Sequence, residues 1–133
     1  MMTRKNLHTF LMLMAVVVLP TLLATCRGRG QAEEYGVTIP RGIEPTPLEK
    51  ILATPEQYHG REVVLTGTVA GQCASLCEFY FTDGKHTTEI FPKGFTLPRM
   101  KKGRQVTALV KVTRGEERLV LSALGLLLHR GSP

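Results

Sequence analysis

Hydrophobic and polar residues alternate along much of the second half of the chain, as in strands that bury one face. Phe79 and Phe81, for example, alternate with Tyr80 and Thr82. The same two-residue period predicts five strands, over residues 61–69, 79–82, 87–91, 106–112 and 119–128. Turn residues separate them, including an Asp-Gly pair after the second strand and Arg-Gly-Glu-Glu after the fourth.

A helical period precedes these strands. Leu48 and Ile51 fall on one side at helical spacing. Thr46 can cap such a helix, and Pro47 suits its first position. A further helical turn is predicted over residues 54–57.

Five strands joined largely by short turns hide their edges best when they close into a small barrel. Three strands, a longer connection and a final hairpin suit an oligonucleotide/oligosaccharide-binding (OB) barrel. The connection over residues 92–103 is short and rich in Gly and Pro, so any helix there is reduced or absent. The expected fold is therefore mainly all-β: a small five-stranded OB-like barrel preceded by a short helix.

Particular residues strengthen this expectation. They are Leu48-x-x-Ile51-Leu52-x-x-Pro55-x-x-Tyr58-x-Gly60-x-x-Val63-x-Leu65-x-Gly67, Phe79-x-Phe81-x-Asp83-Gly84 and Gly103-x-x-Val106. This pattern resembles exported bacterial OB-fold domains of the nucleic-acid-binding type, whose function is often unassigned. The resemblance covers about residues 47–129. The matching residues are turn glycines and core positions, so they imply a fold and no particular chemistry.

The first 26 residues show neither a strand period nor a helix like that before the strands, but a basic start followed by an apolar run. Arg4 and Lys5 precede an apolar run over residues 10–19, which Pro20 ends. A basic head followed by a short apolar stretch and small residues predicts an export signal. An uncleaved membrane anchor is the weaker alternative, because a spanning helix needs about 20 apolar residues.

The end of this segment, Leu23-Ala24-Thr25-Cys26, resembles the lipoprotein box of exported bacterial proteins. The resemblance implies a signal peptide over residues 1–25 and lipid on Cys26, which would anchor the chain to a membrane facing the periplasm or the cell exterior. An ordinary cleaved secretory signal is the alternative. Residues 26–46, rich in Gly and Pro, are predicted to be a flexible tether before an OB-fold domain over residues 47–130.

Charge narrows the choice of partner only slightly. The whole chain has a formal net charge of +6, and loss of Arg4 and Lys5 with the signal would leave 15 Lys and Arg against 11 Asp and Glu. A mildly basic surface is compatible with anionic lipid, polyanions or nucleic acid. It does not choose among them.

Cys73 and Cys77 are the strongest local candidates for chemistry. If Cys26 carries lipid, they remain as a pair in an exported chain, and such a pair favours a disulfide. A loop this small would contribute about 2 kcal/mol by chain entropy. Thiol–disulfide exchange is a weaker interpretation, because redox enzymes of this kind place two residues between their cysteines and this chain has three.

A copper or zinc site is the other alternative for the two cysteines. It would need further ligands, for which His86, His59 and Met100 are candidates. A haem carrier is a further alternative, because His129 near the C-terminus loosely resembles the histidine of periplasmic haem chaperones that have an OB fold. No cofactor is otherwise expected.

A ligand-binding face is predicted on the second and third strands. OB domains bind single strands through stacking aromatic residues and a basic groove. The candidate aromatic residues are Tyr80, Phe91 and Phe95, and the candidate basic residues are Lys93, Arg99, Lys101, Lys102 and Arg104. The stronger alternative is that Phe91 and Phe95 belong to the core and that the basic residues lie on a solvated loop.

Recognisable catalytic motifs are missing from the sequence, which lacks a glycine-rich phosphate loop and a paired-carboxylate signature. We therefore expect a membrane-anchored, non-enzymatic OB-fold binding module of the cell envelope, with an unidentified ligand, glycan or protein partner. A single-stranded nucleic-acid-binding domain and a metal or haem carrier are the alternatives. Nucleic acid is less favoured because export separates the protein from it.

Overall fold

A computed structural model describes residues 32–131. It contains six strands and two short helices. In chain order these are β1 (Glu33–Gly36), α1 (Leu48–Ala53), α2 (Pro55–Tyr58), β2 (Glu62–Gln72), β3 (Phe79–Thr82), β4 (Thr87–Pro92), β5 (Gln105–Arg114) and β6 (Leu119–Leu128). Within this part of the chain, neither helix is long and apolar enough to cross a membrane.

Strands β2 to β6 form the closed five-stranded barrel that the alternation predicts. β2 pairs antiparallel with β3 and β5, and β3 pairs antiparallel with β4. β4 and β6 pair in parallel, and β5 and β6 pair antiparallel, so the sheet returns to its start. The connection between β4 and β5 has no helix, as its composition indicates. The predicted fold class is confirmed.

The barrel interior is filled by apolar side chains from the alternating positions. Phe79, Phe81 and Ile90, from β3 and β4, are at most 1% exposed. Leu48 and Ile51 of α1 join the same core, on the face that the helical spacing predicts. Every buried residue between 32 and 131 is apolar. Polar and reactive groups in this range therefore lie at the surface or half-buried.

Two glycines in the strands are explained by close contacts. Gly67 of β2 lies against the carbonyl of Thr82 and the ring of Phe81, where a Cβ would collide with both. Gly125 of β6 lies beside a bulge, because the register of β5 and β6 shifts between Leu109 and Val110.

The start of the domain differs from the prediction. Residues 33–36 lie within the predicted tether, yet they form β1, which pairs antiparallel with the end of β6. The amide of Val37 continues this pairing by donating to the carbonyl of Leu124 at 2.8 Å. Four mostly exposed residues have no hydrophobic alternation to reveal such a strand. Residues 1–31, which include the predicted signal, lie outside the described residues.

The first helix also begins later than predicted. Pro47 occupies the N-cap position of α1 and makes no side-chain capping bond. The amide of Thr46, predicted to be the cap, instead donates to the carbonyl of Val64 at 2.8 Å. This bond fixes the chain before α1 to the start of β2.

Candidate functional site

The loop between β2 and β3 brings the two predicted cysteines together. The amide of Cys73 donates to the carbonyl of Glu78 at 3.1 Å, and the amide of Leu76 donates to the carbonyl of Cys73 at 3.0 Å. Leu76 has a left-handed φ of 61° and packs its side chain against the core. The resulting turn places the Sγ atoms of Cys73 and Cys77 2.8 Å apart.

The predicted disulfide is not present in the structure. Cys73 is a half-buried free thiol and Cys77 is an exposed one. Their 2.8 Å separation exceeds the length of about 2.05 Å that an S–S bond has. A disulfide in the exported protein therefore stays a prediction.

Hydrogen bonds make the two thiols chemically unequal. The Cys77 thiol donates to the sulfur of Cys73, and the Ser75 hydroxyl lies 3.1 Å from the same sulfur. These bonds, with that of the Cys77 thiol first, lower the pKa of Cys73 from 9.0 to about 7. The same interaction raises the pKa of Cys77. Cys73 is therefore the first of the two to become a thiolate.

The structure places Glu78, and not His86, beside the cysteines. Ligand atoms of Cys73, Cys77 and Glu78 lie within 4.8 Å of one another. His86 lies at the opposite end of β3, where its Nδ1 is 3.5 Å from Asp83 Oδ2. The predicted set of Cys73, Cys77 and His86 is therefore not brought together.

The sulfur spacing is shorter than the spacing in a zinc site. Two thiolates on one tetrahedral zinc ion, with Zn–S bonds of about 2.3 Å, would lie about 3.8 Å apart. The two sulfur atoms here are 2.8 Å apart, so a shared zinc ion would require them to separate by about 1 Å.

An open cleft of about 460 Å³ adjoins this loop. One wall is the end of β2 and the first loop residues, and the other is the connection between β4 and β5. Its lining residues are Gly71, Gln72, Cys73, Ala74, Arg99, Met100, Lys101 and Lys102. Three cationic side chains therefore border the cleft into which Cys73 opens.

Gln72 fixes the distance between the two walls. Its Nε2 donates to the carbonyl of Pro98 at 2.8 Å, and its Oε1 accepts from the amide of Met100 at 2.9 Å. The half-buried side chain of Gln72 thus bonds to the backbone of the β4–β5 connection, as a neighbouring strand would. Sequence alone did not single out Gln72, because its role depends on residues 26 and 28 positions away.

Tyr80 is a neighbour of Gly71, one of the residues that line this cleft. It is 36% exposed on the outer face of β3, and its ring lies over Gly71, where an added Cβ would come within 3.3 Å of the ring. Its hydroxyl donates to the Glu78 carboxylate at 3.3 Å. The negative charge of Glu78, with a smaller contribution from Glu89, raises the pKa of Tyr80. The predicted aromatic platform thus has acidic neighbours.

The other two predicted aromatic residues differ from each other. Phe91 lies on the outer face of β4, with the Arg118 guanidinium 5.7 Å from its ring centroid. Phe95 packs against the core and against Gly36 of β1. Tyr80 and Phe91 therefore share the predicted face, whereas Phe95 has a structural role.

The predicted basic residues do not form one patch. Lys101 and Lys102 line the cleft. Arg104 instead forms an ion pair of 3.4 Å with Glu33 of β1. Lys93 is exposed just after β4, where its amide donates to the carbonyl of Ala123.

The remaining predicted histidines have structural partners. His59 Nδ1 accepts a bond of 3.0 Å from the Arg114 amide. His129 is half-buried, and its Nε2 lies 2.8 Å from the Thr107 hydroxyl. Cys26, the predicted lipid attachment site, lies outside the described residues.

No protein-family model matches this chain, and the search of curated proteins gives no match either.

Proposed function

We propose that this protein is a non-enzymatic binding module of the cell envelope, anchored by lipid on Cys26 and carrying an OB-type barrel. The N-terminal segment supports the anchor through its resemblance to a lipoprotein signal. The barrel supports a binding role because its interior is filled with apolar side chains and its polar groups lie outside. Fold alone does not identify a ligand, so the argument depends on the surface.

The observation that carries this proposal is the position of Tyr80. OB barrels bind ligands across their second and third strands and the adjoining loops. In this barrel those strands are β3 and β4, and the loop between β2 and β3 holds the cysteines. An exposed Tyr80 ring lies there, next to Gly71, which lines the cleft of about 460 Å³.

The neighbours of Tyr80 favour a glycan as the ligand. An aromatic ring offers an apolar surface to a sugar face, and the Glu78 and Glu89 carboxylates can accept hydrogen bonds from sugar hydroxyls. Lys101 and Lys102 in the adjoining cleft can donate to acetyl, carboxyl or phosphoryl oxygens. Glycans of this chemistry are abundant in a cell envelope.

Single-stranded nucleic acid is the second candidate, supported by the three cationic residues of the cleft. The two carboxylates beside Tyr80 oppose it, because they would repel phosphates at the point where bases would stack. The separate engagement of Arg104 by Glu33 weakens it further.

Titration calorimetry on the full-length protein in mild detergent tests the proposal. The probes are a soluble disaccharide-peptide fragment of peptidoglycan and an oligothymidine. We expect the glycan to bind, and Tyr80→Ala to weaken binding by about tenfold, or about 1.4 kcal/mol. Tyr80→Phe keeps the ring and is the matched control, so it retains most of the affinity.

Two results would contradict the glycan assignment. One is an absence of glycan binding, or equal affinities of the Tyr80→Ala variant and the wild type. The other is binding of the oligothymidine alone, with an affinity that falls steeply as salt is added. That result would select the nucleic-acid candidate instead.

A further inference from the structure

We propose that Cys73 and Cys77 form a reversible dithiol–disulfide couple that exchanges with the disulfide of another molecule. This activity is independent of glycan binding. It would give the loop between β2 and β3 a chemical function beside the binding face.

The loop geometry is the first support. The two sulfur atoms are 2.8 Å apart, so bond formation needs a movement of less than about 1 Å. The turn that holds them is fixed by two backbone hydrogen bonds and by the Leu76 side chain against the core. Both thiols are accessible, since Cys77 is exposed and Cys73 is half-buried at the cleft.

The surroundings distinguish an attacking thiol from a resolving one. The Cys73 sulfur accepts a hydrogen bond from the Cys77 thiol and lies beside the Ser75 hydroxyl, and both contacts stabilise a thiolate. Arg99, Lys101 and Lys102 line the cleft on its side. A partly exposed cysteine whose sulfur accepts hydrogen bonds, at a cleft lined by cations, has the features of a reactive thiol.

The contacts of Cys77 act in the opposite sense. The hydrogen bond with Cys73 is the main cause that raises the pKa of Cys77, and the negative charge of Glu78, the next residue, adds to it. Cys77 therefore keeps its proton until Cys73 has reacted.

The exchange then proceeds in two balanced steps. The Cys73 thiolate attacks one sulfur of the partner disulfide, forms a mixed disulfide and releases the other partner sulfur as a thiolate. Cys77 then loses its proton to solvent and attacks the Cys73 sulfur, which releases the second partner thiolate. The loop is oxidised to a disulfide, and the partner disulfide is reduced to two thiols.

Intact mass after reaction with oxidised glutathione tests this sequence. The full-length protein carries Cys26→Ser, so that only the loop thiols remain, and is kept in mild detergent. We expect the loop to lose two hydrogens and to retain no glutathione. Cys77→Ala should trap one glutathione on Cys73. Cys73→Ala, the matched control, should react several-fold more slowly than the intact loop at pH 7.

Three outcomes would overturn the proposal. The intact loop could retain glutathione without forming its own disulfide. Cys73→Ala could react as fast as the intact loop. A stoichiometric zinc ion in the native mass spectrum that blocks the reaction would replace the redox couple with a metal site. The first and third readouts use the unmodified loop, so they decide the matter even if a variant fails to fold.

Discussion

Replacing Gln72 with Ala should loosen the cleft and destabilise the domain. The change removes the bonds to Pro98 and Met100, of 2.8 and 2.9 Å, from a half-buried position. A neutral hydrogen bond contributes about 0.5–1.5 kcal/mol net, so the loss of both should cost about 1–3 kcal/mol. For a domain of this size, each kcal/mol lowers the thermal midpoint by about 4–8 °C.

Thermal unfolding followed by circular dichroism measures this loss in the full-length protein. Gln57→Ala, at an exposed position of α2, is the matched control and should leave the midpoint nearly unchanged. Limited trypsin digestion supplies a local readout, because Arg99, Lys101 and Lys102 are cleavage sites on the connection that Gln72 holds. Cleavage there should be faster in Gln72→Ala than in the control.

Equal stability or equal trypsin cleavage of Gln72→Ala and Gln57→Ala would contradict this role of Gln72. If Gln72→Ala unfolds within about 0.5 kcal/mol of Gln57→Ala, the amide does not stabilise the connection. Unchanged trypsin cleavage would show that the cleft wall is held by other contacts.

Three further outcomes concern β1, the reactive thiol and the β3–β4 turn. Gly125→Ala should destabilise the domain by about 1–3 kcal/mol, because the added methyl group would meet the Val37 carbonyl. Gly131→Ala, which has open space around it, should not, and equal thermal midpoints of the two variants would count against the packing of β1. At pH 7, Cys73 should react with a small disulfide about 5–8 times faster than an ordinary thiol. A pKa of about 7 instead of 9.0 gives ~50 times more thiolate, but each thiolate is ~6–10 times less nucleophilic. A reaction rate that still rises steeply above pH 8 would contradict this prediction. Backbone amides lower the pKa of Asp83, so its ionised carboxylate stabilises the fold fully above pH 3.8, and this stabilisation is lost as pH falls through the folded-state pKa. Urea unfolding between pH 6 and pH 2 should therefore show a smaller loss of unfolding free energy in Asp83→Asn than in the wild type.

The parts of the fold that were predictable depend on local patterns. Alternation such as that of Phe79 to Thr82 identifies a strand because side chains point alternately to the two faces of a sheet. The Asp-Gly turn is equally local, since Asp83 Oδ1 accepts from the amides of Lys85 and His86 at 2.8 and 2.7 Å. Such bonds close within a few residues, so the sequence contains all their determinants.

The parts that could not be predicted depend on distant contacts. β1 exists because Glu33–Gly36 meets the free side of β6, more than 80 residues later. Its sequence contains two glutamates and a glycine, which indicate no buried face. The hydrogen bonds between Gln72 and the β4–β5 connection likewise join residues that are distant in the sequence.

The candidate site was predictable in part. Spacing identified Cys73 and Cys77 as a pair, and strand alternation identified Tyr80 as an outward-facing residue. The third member of the cysteine cluster was not identified, although Glu78 directly follows Cys77. A carboxylate adjacent to a cysteine in sequence is common, and only the turn at Leu76 brings its oxygen atoms near both sulfur atoms.

Cleavage before Cys26, acylation of Cys26 and the oxidation state of Cys73 and Cys77 together define the mature form of this protein in the cell. Intact mass spectrometry of the native protein, isolated with its free thiols alkylated at once, measures that form directly. We predict a chain that begins at Cys26 and bears acyl chains, with Cys73 and Cys77 either both alkylated or joined to each other. A full-length chain without lipid, recovered from the cytosol, would contradict the account.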